Sequence, residues 1–270
     1  GERVVLRLLD KRNLGFSLND LGMSLSVKKE YELCLEKPNG IILVTGPTGS
    51  GKTTTLYASL AKLNAEDSNI MTVEDPIEYE IPGISQTQVQ SKIGLDFSNA
   101  LRAILRQDPD VIMIGEIRDL ETAKIAVQAS LTGHLVLATL HTNDSTSAII
   151  RLIDMGIEPY LISSTLNAVL AQRLVRKKCK FCESKKEINY KCKVCDNSGF
   201  KGRTGLYEFF QVNDKLREII KETSDINYLR KIAIGFGMKT LLDDGKRLIN
   251  LGVTSNQEVA RVTTLIEETS

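Results

Sequence analysis

Four short apolar runs without internal polar alternation punctuate the first half of the chain, at residues 41–45, 70–73, 111–114 and 135–140. Between and after them, apolar residues recur at helical spacing at about 53–64, 98–107, 119–131, 144–155 and 159–175. Unalternating strands separated by helices are the pattern of a parallel sheet covered on both faces. The expected architecture is therefore a doubly wound α/β sheet. Ahead of it, residues 1 to about 35 read as a strand over 3–9, a polar turn around 13–15 and a helix over 26–35, with Arg3 and Arg7 on one strand face. Pro38-Asn39-Gly40 is a turn signal before the first sheet strand. From about 205 onward the pattern becomes amphipathic and helical, at 213–221, 226–233 and 239–250, and Ser255-x-x-Glu258 reads as the capping box of a last helix. Four regions follow: 1–35, a remnant of a preceding domain with its linker; 36–175, the α/β core; 176–204, a cysteine-bearing insert; and 205–270, a helical appendage.

The first strand of the core runs into Gly46-Pro47-Thr48-Gly49-Ser50-Gly51-Lys52-Thr53-Thr54, which satisfies G-x-x-x-x-G-K-[ST] and opens a helix. Strand, loop and helix occur in the order a phosphate-binding loop needs. The glycines let backbone N–H groups turn inward, Lys52 reaches outer phosphates, and Thr53 offers a hydroxyl to Mg²⁺. The expected ligand is a nucleoside triphosphate with Mg²⁺.

Ligands of such sheets sit beyond the carboxyl ends of the strands. Here the second strand runs into Glu74-Asp75-Pro76-Ile77-Glu78, the third into Gly115-Glu116-Ile117-Arg118-Asp119, and the fourth ends at His141. A phosphoryl-transfer site uses carboxylates to hold Mg²⁺ or its waters and to orient the attacking water, and Glu78 and Glu116 are the candidates. The third strand ends in Gly115 where P-loop enzymes commonly place an Asp, so Glu116 is expected to act through metal-bound water. Asp119 reads as a helix N-cap, and His141 as a γ-phosphate sensor. Arg102 and Arg106, four apart, are expected on one helix face as charge stabilisers, with Arg118 and Arg203 as further candidates.

Cys179-x2-Cys182-x9-Cys192-x2-Cys195 makes two knuckles able to present four thiolates to one Zn²⁺, whereas Cys34 reads as a buried apolar residue. Lys177, Lys178, Lys180, Lys185, Lys186, Lys191 and Lys193 crowd the same segment, expected first to neutralise part of a dianionic zinc tetrathiolate and aid solubility, with a patch for acidic lipid or protein as the alternative. The 270 residues are 42% hydrophobic and 26% charged, and 35 basic against 34 acidic residues leave a formal charge of +1. That balance, with no aromatic-studded basic groove, argues against a nucleic-acid translocase. A nucleotide-switched scaffold that hardly turns over is the other rival. No apolar run reaches the ~20 residues of a membrane span. The chain opens with Gly1-Glu2-Arg3 and is expected to be part of a longer protein working in the cytoplasm or against a membrane's inner face.

Taken together in this order, the P-loop, Thr72-Val73-Glu74-Asp75-Pro76-Ile77-Glu78, Leu105-Arg106-Gln107-Asp108-Pro109-Asp110, Gly115-Glu116-Ile117-Arg118-Asp119 and the run from Leu131 to Thr142 resemble the secretion ATPase superfamily of type II secretion and type IV pili. The resemblance covers nearly all of the chain. The tetracysteine insert is similar to that of the assembly ATPases and absent from the pilus-retraction branch. Residues 154–164 and 170–175 look most like the type II secretion member, although a nine-residue gap between knuckles is short for it. The resemblance implies a RecA-like P-loop NTPase domain and an ATP-hydrolysing homo-hexamer, peripheral on the cytoplasmic face of the bacterial inner membrane. An N-terminal region would dock it to an inner-membrane platform, and no nucleic acid is expected. It implies Glu78 as the general base or water-orienting carboxylate, Glu116 as the Walker B carboxylate and His141 as the His-box residue. Arg3, Arg7 and Arg203 would contribute between domains or subunits. Type IV pilus assembly is the alternative function.

Overall fold

The computed structural model describes residues 2–4, 17–64, 68–184, 192–222 and 225–267. Arg7, most of the expected 3–9 strand and the turn at 13–15 lie outside the described residues. In chain order the elements are α1 (Leu25–Leu35), β1 (Gly40–Thr45), α2 (Lys52–Leu63), β2 (Ile70–Glu74), β3 (Ser85–Gln88), α3 (Phe97–Ile104), β4 (Val111–Ile114), α4 (Leu120–Leu131) and β5 (Leu135–Leu140). The second half holds α5 (Ser145–Asp154), α6 (Pro159–Thr165), β6 (Leu166–Lys178), α7 (Lys180–Ser184), β7 (Phe200–Gln211), α8 (Asp214–Glu222), α9 (Ile226–Gly235), α10 (Leu241–Asn250) and α11 (Asn256–Glu267).

One sheet of seven strands runs in the order β3-β2-β4-β5-β1-β6-β7. All pairs are parallel except β6 with β7. Alternation along the strands divides the core: Ile41, Leu43, Ile112, Ile114, Val136 and Ala138 pack toward α3, α4, α5 and α6. Ile42, Val44, Met113, Leu135 and Leu137 pack with Tyr31, Leu56, Tyr57 and Leu60 of α1 and α2 on the other face. Both faces are buried, which is why these strands show no polar alternation.

Three strands depart from the expected pattern. β3, with the sequence Ser-Gln-Thr-Gln, is a polar edge strand that no hydrophobic signal announces. β6 occupies most of what reads as a helix over 159–175. The helix stops at Thr165, Leu166 turns extended (φ −74°, ψ 120°), and the next residues pair with β1 on one side and β7 on the other. A run apolar on both faces fits a buried helix or a buried strand equally, and pairing decides. β7 spans the 204/205 boundary and closes the sheet before the helices begin. The helix expected over 98–107 also ends early, at Ile104, leaving Arg106 in the following turn.

The last helices pack on the far ends of β6 and β7 through Val175, Leu206, Leu241, Leu248, Val259 and Val262. The expected capping box is half formed. Glu258 N donates to Ser255 Oγ at 3.3 Å, but the Glu258 carboxylate turns inward, accepting from Arg176 N at 3.0 Å, from its guanidinium at 2.6 Å and from Arg261 at 3.0 Å. The Arg176 guanidinium leads in holding the carboxyl down, at about 2, against the opposing effect of burial. A depressed carboxyl stabilises the fold above its ordinary value of 4.5 and loses that contribution as pH falls toward 2. Glu258→Gln is therefore expected to cost about 1–3 kcal/mol at pH 7. The gap to wild type should close as denaturant titrations move from pH 5 to about pH 2; a gap independent of pH would contradict the clamp.

Candidate functional site

The parallel strands β1, β2, β4 and β5 end on one edge of the sheet, and a cleft of about 550 Å³ opens there. Its floor is the loop between β1 and α2. Gly46, Gly49 and Gly51 take φ of 148°, 78° and 90°, values that favour glycine. A Cβ at Gly46 would lie 2.5 Å from Gln172 O and 2.6 Å from Ser50 Oγ. Gly51 caps α2 without a side-chain bond, and the first hydrogen bond into the helix runs from Thr55 N to Gly51 O at 3.1 Å. The N–H groups of the first turn thus carry a partial positive charge toward the cleft. This cradle of backbone donors with a lysine above it fits a polyphosphate.

Lys52 is buried, and its Nζ donates to Gly46 O at 2.8 Å and Pro47 O at 3.1 Å. Burial pushes the ammonium below its ordinary pKa, with Glu116 opposing the shift. Thr48, Thr53 and Thr54 line the cleft, whereas Ser50 is buried under the loop with its Oγ unpartnered among the described residues.

The strand ends supply the walls. Glu116, after β4, pairs with Arg118 through one oxygen and sits 3.1 Å from His141 Nε2 through the other. Burial raises the Glu116 carboxyl, but Arg118 and His141 together outweigh it and leave the pKa below its ordinary value. Thr139 Oγ1 donates to Gly115 O at 2.5 Å, and Thr142 N donates to Thr45 Oγ1 at 3.0 Å, so β1, β4 and β5 are tied where they end. Glu78, half-buried, lines the cleft from the segment after β2. Arg118 and Arg203 line it too.

The structure does not bring every expected residue there. Arg102 is on the surface in an ion pair with Glu121, and Arg106 is exposed beyond the end of α3. Asp119 caps α4, accepting from Thr122 N at 2.8 Å. His134 lies at the other end of β5, its Nδ1 2.8 Å from Ala129 O.

Two sets of buried polar residues escaped the sequence reading. Glu74 ends β2 almost fully buried. It accepts from the Tyr57 hydroxyl, from Thr72 Oγ1 at 2.7 Å and from Gln86 Nε2 at 2.9 Å. Tyr57 Oη also accepts from Glu78 N at 3.3 Å, so α2 fixes the start of the Glu78 turn. The second set is Gln172 and Arg173 on β6. Gln172 contacts the loop, and Arg173 donates to Asn143 O at 2.7 Å, two residues past His141. The available signal was two polar residues interrupting the apolar run from Leu166 to Val175.

A separate cluster forms beyond the end of β6. Cys179, Cys192 and Cys195 are buried and Cys182 half-buried, and none of the four is in a disulfide. Their sulfurs lie within 4.8 Å of one another, with Cys179–Cys192 at 3.9 Å and Cys182–Cys195 at 3.3 Å. A tetrahedral ion with metal–sulfur bonds of about 2.3 Å places sulfurs roughly 3.8 Å apart, so the set fits a metal tetrathiolate. Lys177, Lys180 and Lys193 are exposed around it. Lys185, Lys186 and Lys191 lie outside the described residues.

Among proteins of known kind, the family described as Type II/IV secretion system protein matches residues 1–261. The type II secretion system protein HxcR of Pseudomonas aeruginosa is 55% identical over 266 residues, spanning 97% of this chain and 57% of that protein. The type II secretion system ATPase E of Vibrio cholerae is 52% identical, spanning 97% of this chain and 56% of its own. The chain thus spans little more than half the length of these relatives. Among solved structures, the pilus retraction motor PilT with bound ADP superposes with a TM-score of 0.76 at 33% identity, covering 95% of this chain and 69% of PilT. The ATPase DotB of Legionella pneumophila gives 0.72 at 26% identity, covering 94% of this chain and 66% of its own.

The Tyr57 hydroxyl is the one donor from α2 to the buried Glu74 carboxylate among the described bonds. Tyr57→Phe is expected to lower stability by about 1–3 kcal/mol, the cost of leaving part of a buried charge unpaired. A denaturant midpoint equal to wild type would refute that tie.

Proposed function

The chain belongs to the type II/IV secretion system protein family, and we propose that it is an ATP-hydrolysing motor of a type II secretion system, powering pseudopilus assembly and protein export. The observation that carries this reading is the convergence of Glu78, Glu116 and His141 on the cleft floored by the phosphate loop. In this reading the loop N–H groups and Lys52 hold the phosphates of ATP. Thr53 and Glu116 would hold Mg²⁺, which would supply positive charge to offset that of the phosphates. Glu78 orients a water for attack on the γ-phosphorus as the bond to the β,γ-bridging oxygen breaks, and takes up the proton the water loses. Arg118 and His141 keep the Glu116 carboxylate ionised and aimed.

Arg102 and Arg106, exposed and outside the lining of their own cleft, would in this reading act on a neighbour's γ-phosphate in a homo-hexamer. The motor would sit on the cytoplasmic face of the inner membrane, attached to platform proteins through an N-terminal region. Among the described residues no helix is long and apolar enough to cross a membrane. The four regions expected from the sequence serve as a working division, with β6 and β7 joining the core to the insert and the helices. The superposition on the pilus motor PilT supports the shared ATPase fold. A second reading is type IV pilus assembly, with the same chemistry. The 55% and 52% identities to type II proteins place it behind.

Glu78→Gln keeps the shape of the cleft but removes the base. It is expected to bind ATP within about twofold of wild type while turnover falls about 10²-fold or more; turnover at the wild-type rate would remove Glu78 from the mechanism. For the cysteine cluster we infer a structural Zn²⁺, because four thiolates leave no open position for catalysis. Metal analysis of never-chelated protein should give close to one zinc per chain and much less for Cys192→Ser. Full occupancy in that variant would place the metal elsewhere.

A further inference from the structure

We propose that Gln172 is a positioning residue of the phosphate loop, an inference that rests on reading that loop as the ATP site. β6 lies beside β1, with Val44 opposite Leu170 and Thr45 opposite Ala171. Gln172 therefore falls next to the point where the chain leaves β1 and begins the loop at Gly46. It is 1% exposed, and a buried amide is costly unless both of its ends are paired. Both are paired, and both with the loop and its helix. Nε2 donates to Ser50 O at 2.7 Å, and Oε1 accepts from Thr55 Oγ1 at 2.8 Å. Two glycines of the loop, Gly46 and Gly51, lie against the same residue. A Cβ at Gly46 would meet Gln172 O at 2.5 Å, and one at Gly51 would meet Nε2 at 3.1 Å.

The consequence follows from peptide geometry. In a planar trans peptide the C=O and the following N–H point in opposite directions. Drawing the Ser50 carbonyl onto Gln172 therefore turns the Gly51 N–H away from β6, toward the side of the loop where phosphate would lie. With Gly51 on its C-terminal side, this peptide meets little steric resistance to flipping there, and a flip would present a carbonyl oxygen to the phosphate. Gln172 holds it in the binding orientation. An amide is the group required, because one bond needs a donor and the other an acceptor.

The test uses the full chain. Gln172→Glu keeps the shape and the acceptor for Thr55 but sets an oxygen against the Ser50 carbonyl; Gln172→Met keeps the length, is neutral, and decides the matter if the buried carboxylate prevents folding. Either variant is expected to weaken binding of a fluorescent ATP analogue and to raise KM for ATP by about tenfold, the effect of losing one well-placed hydrogen bond. Hydrogen–deuterium exchange of nucleotide-free protein should accelerate in peptides covering 46–55 and stay unchanged elsewhere, which general destabilisation would not produce. Wild-type affinity with wild-type exchange in a folded variant would overturn the proposal. Should the wild-type chain itself bind no ATP, the nucleotide reading fails while the exchange comparison still decides the role of Gln172.

Discussion

Parallel strands end on the same edge of a sheet, and that constraint organises this molecule. β1, β2, β4 and β5 each finish in residues unsuited to a packed interior: a glycine-rich loop, two acidic segments and a histidine. Because the strands are in register, those ends arrive together. The cost is a row of polar groups at the rim of an apolar core, and each must find a partner or face the cleft. The bonds between Thr139 and Gly115 and between Thr142 and Thr45 meet that requirement for the backbone. The Arg118–Glu116–His141 chain meets it for charge.

A second tier of polar groups lies beneath that rim. Glu74 is 3% exposed, and its three donors come from α2, β2 and β3. Glu208, on β7, is fully buried and accepts from Ser145 N at 2.9 Å and from Arg230 at 3.2 Å. Removing one partner of such a group exposes its desolvation cost, so these networks fix geometry more than they add stability. Both lie beside elements that carry site residues. Tyr57 joins the helix that follows the phosphate loop to the turn bearing Glu78, and Glu208 holds the N-terminus of α5, just after His141.

The outline of this arrangement was legible in the sequence because its strongest signals are local. The loop from Gly46 to Thr53 needs consecutive residues of fixed type, and four core strands announce themselves as short apolar runs between helices. The knuckles of Cys179–Cys182 and Cys192–Cys195 are legible for the same reason. What was not legible depends on pairing over long separations. β6 has the composition of a buried helix, and only its neighbours β1 and β7 make it a strand. β3 is polar because it lies at an edge, where alternation gives no contrast. Arg102 and Arg106 have helical spacing, but α3 stops at Ile104, and no local residue pattern shows that Arg102 turns to Glu121 instead of the cleft.

β6 also explains how distant parts of the chain bear on the site. Successive side chains of a strand point to opposite faces, so Gln172 reaches the phosphate loop while Arg173 reaches Asn143 beyond His141. Further along, Arg176 is held by Glu258 of α11, and the strand then leads into Cys179 of the tetracysteine cluster. The antiparallel partner β7 returns from that cluster carrying Arg203 into the cleft and Glu208 onto α5. A strand in a sheet resists sliding, because a slip of one residue would reverse every side chain on it. The last helix, the cysteine knuckles, the loop and the histidine segment are thus all attached to one strand. One element therefore fixes where the loop, the histidine segment and the cysteine cluster stand relative to one another.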